Sequence, residues 1–407
     1  MKMTDAVMRA AAPRCGSPSS LRSMTSSRLF LDHAAGSSTL PEVVDLMADL
    51  HRAGIGNPNG GHTEARRARA ILDDARASIA EDFGVEPRQI TFTATASEAL
   101  ALGLHSAIAP NLPLVTTAGE HRGSRALAAQ HVAAGGSVEL LPLDGHGVMK
   151  SPDVRLANPS AVGLFALASG EVGTIQPWAT FANAWRAAGG GALVVDAVQA
   201  AYHHAIDASE IGASHLVVGS AKVGGPFGIA ALISAADANV RPLIVGGGQE
   251  RGRRGGTEAV VLAAGFAAAH RAHRLRVTQT RQHLTLLTSA FDDAFGPLAS
   301  LGLVPTGAPF TSDTRLAGHR SYAADWALGD DLVAALDHAG VAASTGSACI
   351  SGSREPSEAL RAMGHSERES RGGLRLSFGC DTTVDEARHA ATVVRSVLER
   401  VRTAVPA

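Results

Sequence analysis

The chain has 407 residues, of which 45% are hydrophobic and 18% are charged, and its formal net charge is -2. This length and composition predict a globular protein of about two to three domains, or one large domain with a smaller partner, and exclude a disordered chain. The near balance of acidic and basic residues argues against a nucleic-acid-binding protein, and no apolar run reaches the roughly 18 to 20 residues that span a membrane.

The N-terminal stretch is rich in Ala, Arg, Ser and Met and lacks the long apolar run of a secretory signal peptide. We expect residues 1–28 to form a disordered extension in which Cys15 has no function. Residues 29–42 are expected to pack against a small C-terminal domain.

Strand and helix patterns alternate from about residue 29 to about residue 275. Apolar residues at helical spacing predict helices over 40–52, 64–83, 97–107, 123–134 and 179–188. Short apolar runs predict strands over 90–93, 114–116, 137–141, 161–168, 192–196, 215–218 and 229–233. Strands that alternate with helices indicate an α/β fold, so we predict a large domain over 43–275 with a mostly parallel sheet flanked by helices.

The pattern changes after about residue 275. A long helix is predicted over 277–295, mixed short strands and helices follow it, and an amphipathic helix is predicted over 384–401. We interpret residues 276–407 as a smaller α+β domain.

The run Phe92-Thr-Ala-Thr-Ala-Ser-Glu98 joins a predicted strand to a predicted helix through small residues. The start of a helix has unsatisfied N–H groups and a partial positive charge, so it binds phosphate well. Ala96 is small enough for the backbone to approach a phosphate, and Ser97 adds a hydroxyl donor. Taken alone, the run is more typical of an ordinary helix cap than of a phosphate site.

Asp196 stands at the C-terminal end of a strand that is predicted to be buried. A buried carboxylate is costly unless it has a cationic partner, and ligands in open α/β sheets collect at such strand ends. The protonated pyridine nitrogen of pyridoxal phosphate is one such partner. An aspartate that caps a helix would explain the same position.

Lys222 is one of three lysines in the chain, the others being Lys2 and Lys150, and it follows a predicted strand among small residues. A lysine that forms a Schiff base must be partly desolvated so that its amine is a nucleophile. Its small neighbours leave room for a cofactor ring, although a solvated surface lysine is the alternative. Together with Asp196 and the phosphate-binding run, Lys222 predicts a pyridoxal phosphate site.

The three cysteines are Cys15, Cys349 and Cys380. This odd and sparse set predicts neither a disulfide framework nor a zinc site and favours a reducing cytoplasm. Cys349 lies in a loop rich in Ser and Gly, where an exposed thiolate would suit a sulfur carrier, although an inert surface thiol is the alternative. We assign Cys380 a structural role.

These segments resemble those of the cysteine desulfurases, a branch of the class V aminotransferase-like, fold-type I pyridoxal-phosphate enzymes. The resemblance runs from about Leu31 to about Val401 and implies the fold-type I transferase fold. The run Ser-Thr-Gly-Ser-Ala-Cys349 is similar to the family's Ser-Ser-Gly-Ser-Ala-Cys motif, which implies that Cys349 receives the sulfur. Lys222 matches the lysine that holds the cofactor.

The resemblance implies functions for further residues. His121 is similar to the histidine that stacks on the pyridine ring and assists proton transfer, while Asp196 and Gln199 match the residues that hold the ring nitrogen and the phenolic oxygen. Arg375 matches the arginine that pairs with the substrate carboxylate, for which a guanidinium is well suited. Thr257 ends a glycine-rich run whose threonine reaches the phosphate of the neighbouring subunit in this family, which implies a homodimer.

The sequence also departs from the family pattern. Ser169-Gly170-Glu171 stands where Asn-Asn-Glu is usual, so the contact of the second asparagine is absent. Gly219-Ser220-Ala221-Lys222 replaces Ser-x-His-Lys, so the histidine is lost and Ser220, which we assign to the cofactor phosphate, is displaced. Ser97 stands where threonine is usual. These changes indicate a divergent member.

The resemblance implies a reaction that converts L-cysteine to L-alanine and passes the sulfur to Cys349 as a persulfide and then to an acceptor protein. Two alternatives remain open: a carbon–sulfur lyase or aminotransferase that does not need Cys349, and a weakly catalytic partner of a sulfur-accepting protein. We expect no metal, no nucleic acid and no membrane among the partners.

Overall fold

The computed structural model describes residues 28–150, 160–346 and 355–404. Cys15, Cys349 and residues 1–27 of the predicted extension lie outside the described residues. Within those three ranges, no helix is long and apolar enough to cross a membrane. In the same ranges, no three His, Cys, Asp or Glu side chains group as a metal site requires.

The described strands form three sheets. They are β1 (Leu29–Phe30), β2 (Ile90–Thr93), β3 (Leu114–Thr117), β4 (Val138–Leu141), β5 (Val162–Ala166), β6 (Leu193–Asp196), β7 (His215–Gly219), β8 (Ala230–Ser234), β9 (Leu303–Pro305), β10 (His319–Ala324), β11 (Val341–Ala342) and β12 (Gly373–Ser377).

The helices connect these strands. They are α1 (Pro41–Arg52), α2 (Thr63–Asp82), α3 (Ala96–Ala107), α4 (Arg122–Ala133), α5 (Trp178–Ala187), α6 (Ala208–Ile211), α7 (Val260–Arg274), α8 (Val277–Phe295), α9 (Gly329–His338), α10 (Glu358–Ala362), α11 (Glu367–Arg371) and α12 (Val384–Ala404), with short 3-10 turns at Pro87–Gln89, Ala200–Tyr202, Gln249–Gly252 and Leu298–Leu301.

The largest sheet has the strand order β2-β8-β7-β6-β5-β3-β4. Strand β8 runs antiparallel to both of its neighbours, and the other pairings are parallel. The predicted α/β fold with a mostly parallel sheet is therefore confirmed.

Helices cover both faces of this sheet, as a buried parallel sheet requires. Val194 and Val217 belong to the core beneath α3, whereas the adjacent Val195 and Val218 belong to the larger core that includes α2 and α7. Successive side chains of a strand point to opposite faces, so strands that are apolar at every position can fill both cores.

The smaller sheets join the two ends of the chain. Strands β9, β10 and β12 form an antiparallel sheet, and β1 pairs in parallel with β11. The long helices α8 and α12 pack against each other. The segment around β1 therefore contacts the C-terminal part of the chain. The division of domains near residue 275 stays a prediction.

The pattern of apolar residues predicts most element boundaries. The predicted helix 277–295 and the predicted strand 90–93 agree with α8 and β2 at both ends, and the other predicted boundaries differ from the observed ones by at most three residues. Helix α7 is not among the predicted helices. Its first ten residues are almost entirely apolar and it packs between α1 and α2, so it lacks the polar face on which such a prediction depends.

Candidate active site

The candidate site lies at one edge of the largest sheet. Strands β3, β5, β6 and β7 are mutually parallel, so their carboxyl ends meet at this edge. Asp196 is the last residue of β6, Lys222 follows the end of β7 by three residues, and His121 follows the end of β3 by four.

Lys222 is partly buried between the sheet and the N-terminal segment. Its Nζ donates hydrogen bonds to the backbone oxygens of Ala34 and Ala35, both at 2.6 Å. Burial lowers the pKa of Lys222 to about 8, and Arg375 lowers it further, whereas nearby carboxylates raise it. More of its amine is therefore neutral at physiological pH than in an ordinary lysine.

Asp196 and His121 influence each other at the same edge. Asp196 Oδ1 accepts the N–H of Val198 at 2.9 Å, and Asp196 has no salt-bridge partner in the described part of the chain. Burial raises the pKa of Asp196, whereas His121 and Lys222 lower it. His121 keeps contact with solvent, yet the protein around its ring lowers the imidazole pKa. Its Nδ1 accepts the N–H of Gly123 at 3.0 Å, so the neutral ring has its proton on Nε2.

Helix α3 begins beside these residues. The Thr95 hydroxyl caps it by accepting the N–H of Glu98 at 3.1 Å. The N–H groups of Ala96 and Ser97 lie in its first turn, where the helix itself offers no carbonyl to accept them. A Cβ added to Gly219 would lie 3.9 Å from the Ala96 Cβ, so the end of β7 approaches the helix start. The small residues leave the free N–H groups accessible to an anion.

Ser220 does not point toward the start of α3. It is fully buried, and its hydroxyl has no hydrogen-bond partner among the described residues. A Cβ added to Gly225 would lie 2.2 Å from the Ser220 Oγ and 3.1 Å from the Ala269 Cβ, so the hydroxyl faces its own turn and helix α7. Adjacent residues at a strand end point to opposite sides, which places Gly219 rather than Ser220 beside the helix start. This orientation does not support Ser220 as a phosphate ligand, and that assignment stays a prediction.

Gln199 fills the space beside Gly170. Its Nε2 donates to the Ala34 carbonyl at 2.9 Å. A Cβ added to Gly170 would lie 2.8 Å from that Nε2, closer than real side chains approach each other. The glycine at position 170 therefore makes room for the glutamine, a relation that the separate positions in the sequence do not reveal.

Arg375 projects from β12 and is almost fully buried. Its Nη1 donates to the Gly170 carbonyl at 2.9 Å, and its Nη2 donates to Asp32 Oδ1 at 2.5 Å. Sequence reasoning missed Asp32, although an acidic residue two positions after the short strand β1 was a signal that could have identified it. The structure thus brings Arg375 to the same carbonyl-rich region as Gln199 and Lys222.

Thr257 is exposed at the end of the glycine-rich loop 246–257. Two ion pairs fasten this loop to helices α2 and α3. Arg76 donates two hydrogen bonds to the buried Glu250, at 2.7 and 2.8 Å. Arg254 Nε lies 2.8 Å from Glu98 Oε1 at the start of α3. The loop therefore has a defined position relative to the phosphate-binding run, with Thr257 facing outward.

Two glutamates whose pKa values are raised were also missed by sequence reasoning. Glu120 accepts the Thr117 hydroxyl at 3.0 Å, and burial raises its pKa to about 8, with Asp196 adding to the rise. Burial also raises the pKa of Glu171, which accepts a hydrogen bond from the Ser357 hydroxyl. Both residues adjoin predicted site positions, but their burial depends on contacts that no local pattern reveals.

The chain is similar to known proteins over most of its length. Residues 29–389 match the family model described as aminotransferase class-V. A cysteine desulfurase from Frankia sp. (strain EuIK1) is 34% identical over 396 residues, which cover 92% of this chain and 92% of that protein.

Solved structures give the same result. A NifS-like protein superposes with a TM-score of 0.83 and is 25% identical, covering 92% of this chain and 100% of the other. A protein described as SspA in complex with cysteine superposes with a TM-score of 0.72 and is 26% identical, covering 86% of this chain and 99% of the other.

Proposed function

The chain belongs to the aminotransferase class-V family and is a cysteine desulfurase, and from this premise we propose that Lys222 holds pyridoxal phosphate and that Cys349 receives the sulfur of L-cysteine. Members of this family depend on pyridoxal phosphate. The observation that carries the proposal is the convergence of Lys222, Asp196 and the start of α3 at one edge of the sheet.

The side chains at this edge fit the chemical groups of the cofactor. Asp196 is a carboxylate at a strand end that suits a protonated ring nitrogen. The first turn of α3, bordered by small residues, suits a phosphate. Lys222, with a pKa of about 8, suits a bond to the aldehyde carbon. The residues that would hold the cofactor are Ala96, Ser97, His121, Asp196, Gln199 and Lys222.

Three side chains of the site have distinct tasks in the reaction. When bound, pyridoxal phosphate accepts the electron pair left on the substrate α-carbon as its proton is removed. Lys222, released by the substrate amine, takes that proton on Nζ, since a pKa of about 8 leaves roughly a tenth of the amine free at pH 7. His121 holds a proton on Nε2 for transfer at the same site. Arg375 binds the substrate carboxylate through its planar guanidinium.

Cys349 completes the reaction by accepting sulfur. Its thiolate attacks the substrate sulfur, and an S–S bond forms as the C–S bond of the substrate breaks. One thiol and one L-cysteine thus become one persulfide and one L-alanine, so the step needs no external oxidant. The outer sulfur of the persulfide then passes to an acceptor protein.

Product identity tests the proposal. The purified protein is incubated with L-cysteine and a thiol reductant, and alanine, pyruvate and sulfide are quantified. We expect equal amounts of alanine and sulfide. Pyruvate with sulfide would instead indicate β-elimination and would remove Cys349 from the mechanism.

Two cysteine variants test the residue that accepts sulfur. Cys349→Ser is expected to abolish alanine formation while keeping the visible absorption of the bound cofactor. Cys380→Ser is the matched control and is expected to retain activity, because Cys380 is a half-buried thiol beside Tyr202. Persistent alanine formation by Cys349→Ser would contradict the proposal.

The surface supports a homodimer, which is also part of the proposal. Leu243, Ile244 and Val245 are exposed apolar side chains, with Val245 81% exposed, and they directly precede the loop that ends at Thr257. Phe227 is exposed as well. A group of large exposed apolar side chains is typical of a protein interface. A molar mass in solution of twice that of the chain would agree with this proposal.

A further inference from the structure

Asp32 links the N-terminal segment to the candidate active site. It directly follows β1 and Leu31, and it bridges to Ser377 on β12 through the backbone. Its carboxylate pairs with Arg375, and the side chain of Asp32 is 23% exposed whereas that of Arg375 is 4% exposed. One partner of this ion pair thus reaches solvent while the other is enclosed by protein.

Arg375 retains hydrogen-bonding capacity in this arrangement. One terminal nitrogen donates to Asp32 and the other to the Gly170 carbonyl. Its Nε is buried and has no partner among the described residues. A buried guanidinium with an unsatisfied donor can bind a second carboxylate without giving up the first.

The charge of Asp32 also acts on Lys222. The Lys222 amine donates to the carbonyls of Ala34 and Ala35, which directly follow Asp32 and His33 in the chain. Arg375 lowers the pKa of Lys222, whereas Asp32 and Asp196 raise it. Lys222 in turn lowers the pKa of His121. The negative charge of Asp32 therefore acts on both Arg375 and Lys222.

We propose that Asp32 is a positioning residue that holds Arg375 in an ion pair before the substrate binds. The carboxylate of the amino-acid substrate must then share Arg375 with Asp32. Asp32 also balances the charge of Arg375 beside Lys222. The part that concerns the substrate rests on the proposed function, since Arg375 is there the partner of that carboxylate. The part that concerns Lys222 does not depend on the proposed function.

The first test follows the ionisation at Lys222. In the full chain with bound pyridoxal phosphate, the visible absorption is titrated with pH, and its midpoint reports the proton on Lys222 Nζ. Asp32→Asn is expected to lower the midpoint by roughly one pH unit, because a nearby negative charge favours the protonated nitrogen. Arg375→Gln is expected to raise it, because a nearby positive charge is lost.

A neighbouring carboxylate provides the matched control. Asp381 lies 3.5 Å from His33 and accepts a hydrogen bond from Ser38, and both of these residues belong to the N-terminal segment that contains Asp32. Asp381→Asn makes the same chemical change and is expected to leave the midpoint unchanged, and Asp32→Glu, which keeps the charge, is expected to stay near the wild-type value. Equal midpoints in wild type, Asp32→Asn and Asp381→Asn would overturn the proposal. If Asp32→Asn does not fold, an Arg375→Gln midpoint that fails to rise overturns it instead.

The second test does not depend on the cofactor. The full chain freed of cofactor is labelled with an amine-reactive reagent across a range of pH, and the Lys222 peptide is quantified by mass spectrometry, which is simple in a chain with three lysines. The pH midpoints of labelling are expected to follow the same order among the variants as the midpoints of visible absorption in the first test. A chain that makes no alanine but shows this order would reject the proposed function and retain the effect of Asp32 on Lys222.

Kinetics test the effect on the substrate. Asp32→Asn is expected to lower the KM for L-cysteine roughly fivefold, the effect of one partly exposed charge pair, because the substrate carboxylate no longer shares Arg375. Asp32→Glu is expected to keep the wild-type KM. A purely structural function of Asp32 would reduce thermal stability and leave the KM unchanged or higher, and this result would overturn the proposal for the substrate.

Discussion

Gly170 and Gln199 occupy one small space at the edge of the sheet, and this space leads to a prediction for single residues. A Cβ at position 170 would lie 2.8 Å from Gln199 Nε2 and 3.1 Å from its Cδ, so the glutamine must move and lose its bond to Ala34. We expect Gly170→Asn to reduce kcat/KM for L-cysteine about tenfold, a loss of ~1.4 kcal/mol, rather than to restore a missing contact.

Steady-state kinetics on matched variants measure this effect. Gly170→Ala should reduce kcat/KM as well. Gln199→Ala should change kcat/KM less in the Gly170→Ala variant than in the wild type, since the two residues share one space. Gly61→Ala is the control, because a Cβ there would meet nothing within 4 Å. A gain of activity in Gly170→Asn would contradict this explanation.

At the same scale, the sequence predicts which residues stand at strand ends but not what their side chains face. The structure places Asp196 and Lys222 at neighbouring strand ends, as their positions after apolar runs indicated. The orientation of Ser220 and the pairing of Asp32 with Arg375 depend on segments far apart in the chain. Local patterns reveal the periodicity of one element, so they do not predict contacts between elements that are distant in the chain.

Ser357 precedes helix α10 and links the start of this helix to Glu171. The Ser357 hydroxyl accepts the N–H of Leu360 at 3.1 Å and donates to the half-buried Glu171, so it caps the helix and satisfies a carboxylate at once. We expect Ser357→Ala to reduce the free energy of unfolding by roughly 2–4 kcal/mol. About 1 kcal/mol comes from the lost cap and about 1–3 kcal/mol from a buried oxygen left without its donor.

Helix α11 provides a control for the cap alone. Ser366 accepts the N–H of Glu369 at 3.2 Å in an exposed capping box. Ser366→Ala is therefore expected to cost about 1 kcal/mol, and the difference between the two variants in urea unfolding measures the contribution of Glu171. Equal losses in the two variants would show that the bond to Glu171 contributes nothing.

Elements with a polar face were predictable, and elements that depend on tertiary packing were not. Helix α8 shows apolar residues at regular spacing, and its predicted ends are those observed. Helix α7 is enclosed by α1 and α2, so its sequence is apolar on most sides and resembles the buried strands. The two short strands β1 and β11 pair with each other although they lie far apart in the chain.

Buried histidines make the stability of the whole molecule depend on pH. Burial lowers the pKa of His203 to about 3 and those of His215 and His273 to about 4, and it lowers the pKa of His319 well below its usual value. An unfolded histidine titrates near pH 6.5, so below that pH the unfolded chain binds protons that the folded chain excludes. Their stabilising effect is complete above about pH 6.5 and is lost as the pH falls toward 4.

Some carboxyl groups act in the opposite direction. Glu120, with a pKa raised to about 8, keeps a proton in the folded chain that the unfolded chain releases above about pH 4.5, so its stabilising effect is lost as the pH rises toward 8. The pKa values of Glu171 and Asp196 are also raised. The histidines with a lowered pKa outnumber these three carboxyl groups, and they are His33, His105, His121, His203, His204, His215, His273 and His319.

Acidification from about pH 7 to about pH 5 is therefore expected to reduce the free energy of unfolding, by about 1.4 kcal/mol per pH unit for each buried histidine below pH 6.5. Urea unfolding over this range measures the slope. His215→Asn should lower the slope by the contribution of one histidine, because an asparagine can still bond to the Ser234 hydroxyl that His215 contacts at 3.0 Å but does not titrate. His51→Asn, on the exposed end of α1, is the control variant. Equal slopes in the two variants would mean that proton binding by His215 in the unfolded chain does not contribute to the acid sensitivity of the fold.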